Sequence, residues 1–491
     1  MNKSNSYNQI VKATGLFGGV QVLNILISIV RSKFVAVLLG TSGVGITGLL
    51  SGTTGLIASF TNLELSFSAV RTISSAAATN NQNLISRTII TLRRWVNFTG
   101  IIGGLITLLL APKLSQWTFG NGDYKWAFVW LSVTLFFQAL SGGQLALLQG
   151  LRKLKQLAKA NVTGSLLGTI ISLFLYYRFG LKGIVPSLIL ISVVSLVLSW
   201  YFTRKVEVEK VNITYKESFF GGLDMVKLGG VTMINGFMVN GVSYLIRIFI
   251  SNTGGVEQVG LYVASWTIIN TYVGMVFNAM STDYFPRLSA VNHDNVEIKK
   301  LVNQQAEIAI LILGPILILL LSALPLVIRI LLTTKFLPIT GLIQWALLGV
   351  FLKAASWTLG YILLAKGDIK NFLISEIFAN IIMITSNIVL YHFFKLNGIG
   401  IAFFITYLFY FLVVLIIVNK KYNFSFGSHF VKLLLVHSGL YLAALIVVLI
   451  NGFPIAYISG AVLLLASSAY SLLELRKRID LNILLQKIRR K

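Results

Sequence analysis

Gln21, Asn24, Ser28 and Arg31 follow one another at spacings of 3, 4 and 3 inside an otherwise apolar run. At about 100° per residue on a helix, the four fall within an arc of about 80°. Gly236, Asn240, Ser243 and Arg247, spaced 4, 3 and 4, repeat the pattern later in the chain. Each polar stripe ends in an arginine. A cation in hydrocarbon costs a few kcal/mol on insertion scales and more in simulations, so a lipid-facing stripe is untenable and both should line an interior. The planar guanidinium donates two hydrogen bonds at once, a geometry that suits phosphate. The chemistry these residues point to is holding an anion. Lys353 adds a third cation at depth, while the acids there are fewer: Glu64, Asp283 and Glu376.

Each of these residues also has a plainer reading. Arg31 and Arg247 could brace helices by bonding to carbonyls or acids. Glu64 is either a proton- or cation-coupling group or a helix–helix hydrogen-bond partner. Asp283 has Arg287 four residues on, the spacing of a local ion pair. Lys33 projects almost opposite Arg31 and reads as a snorkelling or packing residue.

The elements that position these groups follow from composition. The 491 residues are 56% hydrophobic and 11% charged, with a mean hydropathy of +0.82. Soluble domains carry about 25% charged residues, so this is an all-α polytopic membrane protein. The net charge of +26 would suggest nucleic acid in a soluble chain. Here the basic residues lie in loops between apolar runs, and a membrane explains them. Cysteine is absent, and the four histidines show no metal spacing. No metal and no cofactor are expected.

Apolar stretches of spanning length predict about fourteen helices, the first over 14–39 and the last over 454–473. Basic residues sort the loops into two sets. One side carries about thirty, among them Arg71, Arg87, Arg152, Lys205, Lys299 and Lys420; the other carries about seven, among them Lys113, Arg178 and Lys395. The richer side is cytoplasmic by the positive-inside rule, and both termini lie there. No loop exceeds about 25 residues. That leaves no room for a soluble catalytic domain, and an enzyme is not expected. The basic end RKRIDLNILLQKIRRK reads as a tail on the anionic inner leaflet.

An internal repeat organises the chain. VRSKFVAVLLGTSGVGITGLLS matches IRIFISNTGGVEQVGLYVAS, pairing Arg31 with Arg247 and Gly45 with Gly260. Arg71 then pairs with Arg287, Gly150 with Gly367 and Gly183 with Gly400, at offsets of 215 to 217. A near-constant offset argues for duplication. Each copy holds six helices, an even number, so the repeats are parallel. The reading is an N-lobe over 1–204, a cytoplasmic linker over 205–227 and a C-lobe over 228–418. Two extra helices follow over 419–475, then the tail over 476–491. Parallel halves are a transporter architecture, and by this symmetry Arg31 and Arg247 should face each other across a central cavity.

These same residues carry a resemblance. Arg31 and Gly40, then GVG, then AVR resemble the multidrug/oligosaccharidyl-lipid/polysaccharide exporter superfamily. Within it, YLIRIFIS, EQVGLYVASW, DYFPRLS, FGNGDY and KAASWTLGYILLAKGDIKNFLISE resemble the flippases for O-antigen and enterobacterial common antigen units. The resemblance covers about residues 10 to 418. It implies a V-shaped two-lobe fold with a cationic cavity and alternating access. It also implies a substrate, undecaprenyl-pyrophosphate-linked oligosaccharide moved from the inner to the outer leaflet of the bacterial cytoplasmic membrane. Arg247, Lys353, Glu376 and Arg287 sit in matching motif contexts. Arg31 and Lys33 both fall where relatives place a cation, and Glu64 falls where no matching acid is seen. Membrane lipids, an O-antigen polymerase and a chain-length regulator are the further partners implied.

The competitors are a lipid II flippase, which shares the chemistry, and a small-molecule antiporter exporting organic cations, which would want more acids than cations in its cavity. A non-transporting scaffold would not need polar stripes repeated in both lobes.

Overall fold

The computed structural model describes residues 3–206, 209, 211–451 and 453–477. The basic tail beyond Lys477 lies outside these residues, as do 207, 208 and 210 of the expected linker. The described residues are helical almost throughout, with no strand among them. They form two compact units, Met1–Leu261 and Tyr262–Lys491.

The first unit opens with α1 (Lys3–Thr61). At 1.5 Å per residue, a straight helix of that length would run about 90 Å, three times the hydrocarbon thickness of about 30 Å. It is broken at Gly40 (φ 66°, ψ −165°) into two arms, 3–39 and 41–61. Then come α2 (Leu65–Ala78), α3 (Gln82–Phe119), α4 (Lys125–Gly150) and α5 (Leu154–Phe179). A 3-10 turn, Gly180–Gly183, leads into α6 (Ile184–Thr203), and α7 (Tyr215–Gly254) follows. The core holds Leu65, Ile73, Ile89, Leu92, Trp95, Leu147 and Met225, all buried. It is completed by α7, which packs on α1, α2 and α3. The helix α7 starts inside the segment read as linker because Thr214 and Glu217 form a capping box there.

The helix α8 (Val256–Ile268) continues through a π-helical turn, Ile269–Val273, into α9 (Gly274–Ala290). The second unit holds α10 (Asn295–Ser322), α11 (Leu324–Leu331), α12 (Thr340–Ala365) and α13 (Ile369–Tyr422), the last broken at Lys395. It ends with α14 (Ser428–Asn451) and α15 (Phe453–Arg476), which pack on α10. Its core includes Tyr284, Leu288, Val302, Leu359, Ile362, Tyr410 and Phe424.

Among the described residues, ten helical stretches are long and apolar enough to span a membrane. Three of them, Gly19–Thr61, Leu154–Thr203 and Ile369–Tyr422, are double-length and contain a break. Counted twice, those three bring the total to thirteen crossings; α7, the seventh of the fourteen expected from the sequence, is not among the ten stretches. Large side chains such as Leu109 and Leu465 are exposed, as a lipid-facing surface requires.

The repeat is visible in the turns. Gly40 (φ 66°, ψ −165°) has its counterpart 215 residues on, at Gly255 (φ 83°, ψ 170°). Gly180 (φ 55°, ψ −133°) recurs at Lys395 (φ 50°, ψ −134°), and Arg152 (φ 55°) at Gly367 (φ 68°). Gly183 packs against the carbonyl of Leu175, and Gly398 in the same way against that of Leu390. The repeat register is therefore 215. The sequence pairing of Gly183 with Gly400 and of Gly150 with Gly367 is two residues out, and that of Arg31 with Arg247 is one residue out.

Candidate substrate site

That single residue decides where the two arginines point. Arg31 lies nine residues before Gly40, and Arg247 eight before Gly255. One residue is a rotation of about 100° about the helix axis, so equivalent helices aim them into different surroundings. Arg31, half-buried on the first arm of α1, lines a cavity of about 240 Å³ within the first unit. Asn161, Gly164, Ser165 and Gly168 of α5 line it too, with Ile191 and Ser195 of α6. No carboxylate is among the described residues that line it, and neither is Arg247. The Ser195 hydroxyl is in turn 2.8 Å from that of Ser141 on α4. The result is an arginine beside neutral hydroxyl and amide groups, an arrangement that can receive an anion. Earlier on the same arm, Asn24 has its Oδ1 buried with no hydrogen-bond partner among the described residues, and Ser28 is exposed.

Arg247 reaches the second arm of α1, where its Nη1 donates to the carbonyl of Gly48 at 2.9 Å. This is the helix brace that was the alternative reading. Its approach needs Gly52, where a β-carbon would stand 2.7 Å from Nη1. Of its stripe, Ser243 is half-buried and Asn240 exposed. Beside them the buried Tyr244 hydroxyl meets that of Thr118 on α3 at 2.7 Å, and Thr118 meets Thr53 of α1 at 3.3 Å. Past the turns, Gly45 and Gly260 meet reciprocally. A β-carbon on Gly45 would lie 2.0 Å from the Val256 carbonyl, and one on Gly260 1.9 Å from that of Thr41. Thr41 and Val256 each directly follow a turn glycine. The contact is isologous, as a two-fold related pair requires.

Glu64 sits in a break between α1 and α2, where Leu63 (φ 51°) and Glu64 (φ 46°) are both left-handed. Such conformations cost of order 1 to 3 kcal/mol each and gather at functional sites. A β-carbon on Gly229 of α7 would lie 2.1 Å from the Leu63 carbonyl, and one on Gly236 3.4 Å from the Glu64 carboxylate. Glu64 thus faces the glycine-lined side of α7.

In the second unit Lys353 stands amid three rings: Tyr407 at 5.4 Å, Phe277 at 5.6 Å and Phe403 at 5.8 Å from their centroids. Cation–π attraction holds it there. Tyr407 neighbours Tyr410, whose hydroxyl donates to Glu376 at 2.6 Å. Asp283 and Arg287 form the local pair that their spacing suggested, at 2.8 Å with both side chains well exposed, worth at most about 1 kcal/mol.

The sequence reading missed Asn161, Ser165, Ser195 and the Thr53–Thr118–Tyr244 chain. Asn161 and Ser165 carried a signal, since polar groups four apart share a helix face and Gly164 and Gly168 leave that face open. The hydroxyl chain carried none, because its members lie on three helices far apart in sequence. Among the described residues no group of three His, Asp or Glu side chains is placed to hold a metal.

The family described as polysaccharide biosynthesis protein matches residues 52–341, more than half of the chain. The chain belongs to that family. Among curated proteins it is 28% identical over 204 residues to the Shigella flexneri "Putative O-antigen transporter", over 40% of this chain and 46% of that one. It is 23% identical over 277 residues to the lipid III flippase of Escherichia coli strain K12, over 56% of this chain and 66% of that one. The matches thus span about half to two thirds of those relatives. In fold the chain is similar to the lipid II flippase MurJ in an inward closed conformation, with TM-score 0.68 and 14% identity over 95% of this chain and 99% of that one. It is also similar to an inward-facing multidrug MATE transporter, with TM-score 0.62 and 14% identity over 82% and 94%. At such identities the structures establish the fold alone.

Proposed function

We propose that this chain is a flippase that moves undecaprenyl-pyrophosphate-linked oligosaccharide from the inner to the outer leaflet of the bacterial cytoplasmic membrane. The observation that carries the proposal is the Arg31 cavity: a cation beside Asn161, Ser165 and Ser195, with no carboxylate among its lining residues. A pyrophosphate cannot cross hydrocarbon unaided. A guanidinium, hydroxyls and amides replace part of its lost hydration, and the polyprenyl tail stays in lipid. The names of the two curated relatives agree with this substrate class.

In this account Arg31, Asn24, Ser28 and Lys353 meet the substrate, while Arg247, Ser243 and Asn240 belong to the helix contact that must open for release. The six-helix halves 1–204 and 228–418 alternate in access, and both termini face the cytoplasm. Glu64, in its left-handed break, carries coupling, and Glu376 with Tyr410 and Asp283 with Arg287 act in gating. A drug antiporter handling organic cations would want acids where Arg31 stands. A lipid II substrate shares the pyrophosphate and differs in its sugar.

The test is reconstitution into vesicles with a fluorescent short-chain polyprenyl-pyrophosphate glycan and, separately, a fluorescent organic cation. Protein-dependent movement of the glycan lipid alone supports the proposal. Movement of the cation alone contradicts it.

A further inference from the structure

A second cavity lies away from these residues, at the basic end of the first unit. It measures about 590 Å³ and runs between residues 94–101 of α3 and the start of α7. Trp95, Phe98, Ile101, Phe219 and Phe220 line it, and all but Trp95 of these are exposed. In a membrane protein such exposed apolar side chains meet lipid chains, and here they are gathered in one cleft. The mouth is cationic, with Arg94 and Lys216.

Arg94 is fixed in place. Its Nη1 donates to the Thr214 carbonyl at 2.8 Å and the Ser218 hydroxyl at 2.6 Å, and its guanidinium lies 4.3 Å over the Tyr215 ring. A guanidinium has five N–H donors. Among the described residues no acceptor meets those on Nε and Nη2, and none meets the Lys216 ammonium. Glu217, the near acid, is turned to its own cap, where it accepts from the Thr214 amide. An apolar slot beneath two cations with open donors is complementary to one molecule with a phosphate above a hydrocarbon chain. Basic pockets between helices at the cytoplasmic face take lipid headgroups in this way.

We infer that this cleft binds one anionic phospholipid of the leaflet on the basic side, its phosphate on Arg94 and Lys216 and one acyl chain against Phe98, Ile101 and Phe220. Which leaflet this is rests on the cytoplasmic assignment proposed above; the site itself does not. The cleft shares no lining residue with the Arg31 cavity, which favours a bulk phospholipid over the substrate. Since Arg94 and Trp95 also tether α7 through Thr214 and Ser218, the lipid would steady the docking of α7 on α3.

The experiment is native mass spectrometry of the full chain in detergent, with phosphatidylglycerol and phosphatidylcholine supplied at equal concentration. A surface cation contributes about a fivefold preference for anionic lipid. Wild type should therefore retain phosphatidylglycerol in preference to phosphatidylcholine, and Lys216→Gln should lower that preference about fivefold. Ile101→Trp, which fills the slot from an exposed position, should lower retention of both. Lys216→Gln should still export glycan, so loss of this site and loss of the flippase reading are separate results. Equal retention of both lipids by wild type, or unchanged preference in Lys216→Gln, would overturn the inference. So would unchanged retention in Ile101→Trp, or displacement of the bound lipid by equimolar polyprenyl pyrophosphate, which would give the cleft to the substrate.

Discussion

Arg247 donates from Nη1 to the carbonyl of Gly48 at 2.9 Å, joining α7 to the second arm of α1 over the open face of Gly52. The bond is charge-assisted, and such bonds contribute about 1.5 to 3 kcal/mol. Arg247→Ala should lower stability in detergent by about that much and reduce glycan export. Gly52→Val should displace the guanidinium and reproduce part of the loss. Thermal unfolding beside an export assay checks both, and an unchanged Arg247→Ala in the two assays would remove the latch from the account.

Gly45 and Gly260 let two backbones touch. A methyl on either meets a carbonyl rather than a flexible side chain, so the helices must part. Gly45→Ala should cost about 1 to 3 kcal/mol. Gly55→Ala, on the same arm with nothing within 4 Å of the added carbon, should be neutral or slightly stabilising. Equal melting temperatures for the two variants would contradict the contact.

Lys395 occupies a backbone conformation (φ 50°, ψ −134°) that its repeat partner Gly180 shares. A β-carbon is strained there. Lys395→Gly should raise stability by about 1 kcal/mol, although most changes to glycine lower it. A melt of the purified variant reads the sign.

Asp368 caps α13 at its start, its side chain only 10% exposed. Burial raises its pKa, but hydrogen bonds from Asn371, Lys421 and Tyr422 outweigh this and hold the carboxyl well below the ordinary 3.8. A depressed folded-state pKa stabilises above the unfolded value, and that stability is lost as pH falls. Wild type should exceed Asp368→Asn by a constant margin from pH 7 to about pH 5. The margin should shrink once pH drops below 3.8.

The fold was largely legible because its signals are periodic and long. Apolar runs marked the crossings. Lys395 broke its helix although no glycine stands there. The site was legible in residue type but not in direction. Reading Arg31 against Arg247 at an offset of 216 missed a register of 215, and one residue turns a side chain by about 100°. The break at Leu63 and Glu64 left no trace, because neither residue favours a left-handed backbone.

The most direct test of the central claim is the leaflet position of lipid-linked glycan in a deletion strain without redundant flippases, labelled with a membrane-impermeant glycan reagent. The strain would carry wild type, Arg31→Ala or Arg31→Lys. The account predicts inner-leaflet accumulation in the deletion, relief by wild type, little relief by Arg31→Ala and partial relief by Arg31→Lys, with all three proteins inserted at equal levels. Normal outer-leaflet labelling in the deletion strain would contradict the flippase, and full relief by Arg31→Ala would contradict the Arg31 cavity as its anion site.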